Sequence, residues 1–163
     1  MDNKELSYRI FLQARRFEDS AELLFKSENF DPNKHCIPAW VMAAFGLELH
    51  LKSILQFERG TIKKTHSIKD IFNELTDESK TKIRVNFKED TLRNPPPNIK
   101  EIEKQSGAKI TDDFDSVLND ISSLFVDFRY IFEQKNEAKS FMYIENLRKI
   151  ITGRVSELGI DKK

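Results

Sequence analysis

PAWVMAAFGLELHLKSILQFERG, residues 38–60, is apolar around most of a helical circumference. Trp40, Ala43, Ala44, Phe45, Leu47, Leu51, Ile54 and Leu55 fall on several sides instead of one stripe, the pattern of a central helix with neighbours all round. Pro38 suits a first-turn position and Gly60 a C-terminal stop, so the spacing predicts a helix over 38–60. Gly46, Ala43 and Ala44 would let a second helix come close. The longest apolar run, around Ile37–Leu47, is well short of the roughly 20 residues that cross a bilayer, so no membrane contact is expected.

Helical periodicity continues on both sides of this segment. Leu6, Ile10, Ala14, Phe17, Ala21, Leu24 and Phe25 form one stripe, with Arg15, Arg16, Glu18, Asp19 and Glu22 assigned to the opposite, solvent face. Asn29, Asp31, Pro32 and Asn33 supply turn chemistry after it. A third helix starts at THSIKDIFNEL, with Thr65 or Ser67 as its cap and Asp70 approximating a capping box. Ile68, Ile71, Phe72 and Leu75 are its stripe. The pattern then weakens. Pro95, Pro96 and Pro97 forbid a regular helix where they stand, and a long loop is expected over about 85–111. A fourth helix over about 112–134 carries Phe114, Val117, Leu118, Ile121, Leu124, Phe125, Phe128 and Phe132. A fifth, about 140–158, carries Phe141, Ile144, Leu147, Ile150, Ile151, Val155 and Leu158. With no alternating strand pattern and no internal repeat, residues 1–163 read as one all-α domain.

Composition limits the function. Lys plus Arg and Asp plus Glu are 27 each, without the basic excess of a duplex-DNA binder. A single cysteine, Cys36, rules out an internal disulfide and fits a reducing, cytoplasmic location. The charged opening MDNKELSYRI has no apolar core of a signal peptide. Five glycines stand singly, so no phosphate-cradling loop is present. His35, His50 and His66 show no metal-ligand spacing, and neither a metal nor a cofactor is implied. Cys36 reads as a small buried residue. His66 is expected to make a local hydrogen bond that fixes the turn into the third helix, and His50 to be satisfied between helices.

Glu48 and Lys52, four residues apart, share a helix face and can pair. Their helix is otherwise nearly surrounded by apolar groups, where a lone charge is costly. Either an inward Glu48 finds a cation on another helix, with Arg129 the candidate, or both residues snorkel to the surface. Arg59, Lys63, Lys64 and Lys69 make a candidate basic patch for RNA phosphates or an acidic partner; the alternative is a solvated loop.

AAFGLELHLKSIL, KTHSIKDIFNEL and VDFRYIFE, in that order, resemble the HEPN superfamily, the higher eukaryote and prokaryote nucleotide-binding domains. The resemblance runs from about Leu6 to Leu158 apart from the Pro-containing insert between helices 3 and 4. It implies a five-helix up-and-down bundle, a homodimer, and a polar pocket built on Glu48, Lys52, Arg129 and Tyr130. Many members are metal-independent endoribonucleases that use an Arg, four to six intervening residues and a His. Arg129 matches the first position, but five residues on stands Gln134, and no histidine follows His66. Gln exchanges no proton, so the standard activity is not expected. The resemblance then implies a module binding RNA, a nucleotide or a protein partner in a defence or toxin–antitoxin setting. A nucleotidyltransferase or an antitoxin is a candidate partner. The alternatives are an atypical ribonuclease, using Arg129 with a histidine from outside the motif, and a helical protein–protein adaptor.

Overall fold

The computed structural model describes residues 2–97, 99–107, 109–129 and 140–162, without the side chains of 32, 33, 105, 106, 123, 125–129, 140 and 141. Seven α-helices occur among the described residues: α1 (Asn3–Phe25), α2 (Pro32–Arg59), α3 (Ile68–Asn73), α4 (Asp77–Arg93), α5 (Ile99–Ser106), α6 (Phe114–Arg129) and α7 (Ile144–Glu157). A 3-10 turn, Ser140–Tyr143, leads into α7. No strand occurs among them, and no helix is long and apolar enough to cross a membrane.

The core is built on α2. Leu47, Leu51, Ile54 and Leu55 meet Ile68, Ile71 and Phe72 of α3, Ile83 and Phe87 of α4, Val117, Leu118 and Ile121 of α6, and Leu147, Ile151 and Val155 of α7. Phe114 lies between Phe72 and Phe87, with ring centroids 5.1 and 5.4 Å away. Arg84 covers Phe114 from outside, 4.6 Å from its ring, while donating to both carboxylate oxygens of Asp115 at 2.7 and 2.8 Å.

α1 lies along another side of α2, where small residues permit close approach. A Cβ at Gly46 would stand 2.9 Å from Glu18 Cγ and 3.4 Å from the Ala14 carbonyl. This packing keeps Ala14 and Ala21 of the expected stripe inward and turns Ser7 and Glu18 inward beside them, while Phe25 is 38% exposed. The assignment of Glu18 to the solvent face is therefore corrected. At a glycine- and alanine-lined contact the distance between backbones decides which residues face inward, and apolar side chains on either flank remain half-buried.

Two further expectations are revised. α2 begins at Pro32, so Pro38 lies inside the helix. Its ring is exposed, so the backbone acceptor left without its N–H lies on the solvent side. The expected loop over 85–111 is largely helical, because α4 runs to Arg93 and α5 occupies Ile99–Ser106. α4 buries only Ser79, Ile83, Phe87, Asp90 and Thr91, and so carries too few apolar positions for a visible stripe. It is held locally by Thr76, whose side chain accepts from the Ser79 N–H, with Asp77 and Glu78 in its first turn. The prolines interrupt the chain only between α4 and α5.

Candidate functional site

Glu48 is the centre of the site. It projects from the middle of α2 and is 5% exposed. Lys52, one turn on, donates to Glu48 Oε1 at 2.7 Å, as the four-residue spacing requires. The loop between α2 and α3 then brings His66 to the same carboxylate. His66 Nδ1 lies 3.2 Å from Oε2 and 3.3 Å from Oε1. Glu48 is therefore shared by Lys52, one turn on in its own helix, and a residue 18 positions away, a non-local contact where a local one is expected.

The loop is pinned at its α3 end. The Ser67 N–H donates to Thr65 Oγ1 at 3.1 Å, and Ser67 Oγ caps α3 through the Asp70 N–H at 3.2 Å. The Lys69 N–H donates to Ser122 Oγ at 2.7 Å, fastening α3 to α6. Local backbone bonds thus hold His66 over α2. The side chain of His66 is 72% exposed, against 7% for Glu48 and 12% for Lys52, so a buried carboxylate holds an exposed imidazole.

Arg129 is the last residue of α6. Its side chain, with Tyr130 and Gln134, lies outside the described residues, as therefore does the expected Glu48–Arg129 pair. The basic residues have separate partners: Arg59 donates to the Leu75 carbonyl at 3.4 Å, Lys63 pairs with Glu74 at 2.8 Å, and Lys69 Nζ donates to Asn119 at 3.3 Å. Lys64 is exposed. The other histidines serve the fold. His35 Nδ1 accepts from the Asp31 N–H at 2.9 Å, in the turn before α2. The Cys36 thiol is free and half-buried. No cluster of three potential metal ligands occurs among the described residues.

Three buried polar centres carry no signal in helical periodicity. Glu18 Oε1 lies 3.0 Å from His50 Nε2 but off the line of the ring N–H, so both buried ring nitrogens lack a hydrogen-bond partner among the described residues, and the expectation of a satisfied His50 is corrected. His50 is completely buried. Burial opposes ionisation of Glu18, but His50, Arg148 and Arg15 outweigh it and hold the carboxyl below its usual range. Beside it, Arg15, Phe25, Ala43 and Arg148 help to line a cavity of about 260 Å³.

In the second centre, Glu58 accepts from the Thr76 N–H at 3.0 Å, Thr76 Oγ1 at 2.9 Å and Ser79 Oγ, while buried Arg154 donates to Ser79 Oγ at 2.7 Å and to Glu78 at 3.0 Å. In the third, Asp90 accepts from Asn94 and Asn146 at 2.9 Å each and from Lys149 at 2.7 Å. Asn146 also donates to the Asn94 carbonyl at 2.9 Å, tying α7 to the proline bend.

Among these groups the Glu48 centre alone joins a buried carboxylate to a largely exposed imidazole. No protein family, curated protein or solved structure matches this chain.

Proposed function

We propose that the chain is a HEPN-like helical module that binds RNA and lacks the Arg–His ribonuclease pair usual in that superfamily. In this reading α1, α2, α3, α6 and α7 are the five helices of the bundle, and α4 with α5 forms the Pro-containing insert. Arg129 and Tyr130 complete the polar pocket around Glu48 and Lys52, and two copies of the chain associate. A defence or toxin–antitoxin role, alongside a nucleotidyltransferase or an antitoxin, belongs to the same reading.

One observation carries it. The polar residues of AAFGLELHLKSIL and KTHSIKDIFNEL, which are separate in sequence, meet at one carboxylate, with Lys52 at 2.7 Å and His66 at 3.2 Å. Exposed His66 and Lys64 stand where a phosphate chain could be met from solvent.

The test is fluorescence anisotropy of a labelled single-stranded RNA at low salt, with duplex DNA, free nucleotide and size-exclusion chromatography in parallel. RNA retention that weakens as salt rises, and weakens again in Lys64→Ala, is expected. A protein that retains neither RNA nor nucleotide would be a protein–protein adaptor instead.

A further inference from the structure

We propose that a second cavity, between α4 and the loop into α6, binds a free α-amino acid with an apolar side chain. The site is separate from the Glu48 centre and does not depend on the RNA-binding reading.

The cavity measures about 410 Å³. Phe87 of α4 and Phe114, the first residue of α6, are buried and give it an apolar base. Leu92, 72% exposed, gives it an apolar rim. Lys88 stands one turn before Leu92, so the two share a helix face.

Charge decides what the cavity can take. Arg84 is committed, because it donates to both carboxylate oxygens of Asp115 and lies over the Phe114 ring. Asp113 is committed too: its Oδ2 accepts from the Ser116 N–H at 3.0 Å and from Ser116 Oγ at 2.8 Å, in the first turn of α6. Lys88 and Asp112 line the same cavity, are exposed, and make no side-chain hydrogen bond or ion pair among the described residues. The cavity beside Glu18 differs in this respect. Its cations Arg15, Lys26 and Arg148 are each paired with carboxylates of the same lining, which leaves no cation there for a ligand.

An uncommitted cation and an uncommitted anion over an apolar base match a zwitterion. The ligand carboxylate would accept from Lys88 Nζ, its ammonium would donate to the Asp112 carboxylate, and its side chain would cover Leu92 and the two phenylalanines. A ligand of one charge would leave Lys88 or Asp112 unused, and a wholly polar one would leave the apolar base uncovered. Exposed ion pairs are individually weak, so binding in the millimolar range is expected.

The experiment titrates the full chain with L-leucine at low salt and follows backbone amide resonances by NMR. Saturable shifts are expected at the amides around Lys88–Leu92 and Asp112–Phe114. Lys88→Gln and Asp112→Asn should each weaken binding about two- to fivefold, the range of an exposed pair. Both side chains are exposed, so the spectra of the variants should otherwise match the parent. Two analogues assign the ends. N-acetyl-leucine, which lacks the ammonium, should respond to Lys88→Gln and not to Asp112→Asn, and leucinamide, which lacks the carboxylate, should do the reverse. No saturable shift, shifts centred elsewhere, or unchanged leucine affinity in the double variant overturns the proposal.

Discussion

Glu18 of α1 and His50 of α2 face each other across 3.0 Å in the interior, with Arg148 of α7 3.5 Å from the same carboxylate oxygen. Three helices therefore meet at one buried anion, and removal of any partner leaves the others under-compensated.

The pH dependence of stability follows from this contact. The folded Glu18 carboxyl titrates below its ordinary value, so its stabilisation is complete above the unfolded pKa of about 4.3 and is lost as pH falls through the folded value. Asp90 is lowered in the same direction: burial opposes its charge, while Lys149, Asn146 and Asn94 favour it. Urea denaturation between pH 7 and pH 3 should show stability falling on the acid side. Glu18→Gln should flatten that fall, and an unchanged slope in the variant would count against the contact.

Gly46→Ala tests the close approach of α1. Alanine is the better helix former by about 1 kcal/mol, so local propensity alone predicts stabilisation. The new Cβ would lie 2.9 Å from Glu18 Cγ, with the Ala14 carbonyl behind it. We expect a net loss of about 1–2 kcal/mol from overpacking, read as a lower urea midpoint.

Arg154→Met removes the cation from the second buried centre. Its guanidinium is 6% exposed and lies 3.9 Å from Glu58, which is equally buried. Leaving that carboxylate without its cation should cost about 3 kcal/mol. Thermal unfolding should then fall by about 6–12 °C for a domain of this size.

Asn146→Ala tests the anchoring of the proline bend. The lost donor serves both Asp90 and the Asn94 carbonyl, so a cost of about 2 kcal/mol is expected. Hydrogen exchange should rise at the end of α4, since the Asn94 N–H bonds back to the Asp90 carbonyl at 2.7 Å. Leu92→Lys on the outer face of the same helix, 72% exposed, should change stability by less than about 0.5 kcal/mol.

What local sequence decides was legible. The all-α class, the central place of α2, the Ser67 cap and the Glu48–Lys52 pair all rest on interactions within about four residues, which spacing displays directly. α4 was hidden because it buries three polar side chains and only two apolar ones, and a polar residue turned inward looks like one turned outward until its partner is known.

Partners far along the chain were decided by the tertiary structure alone. Glu18 reads as a surface acid from its neighbours in sequence, yet Gly46, 28 positions on, draws α1 close enough to bury it against His50. His66 reads as a turn residue, yet the pinned loop before α3 sets it on Glu48. The sequence by itself determined which segments coil and which broad faces are apolar, because those depend on local periodicity. Only the packed helices determined where the buried charges go, because a carboxylate in a core is stable only beside the donors that other elements bring to it.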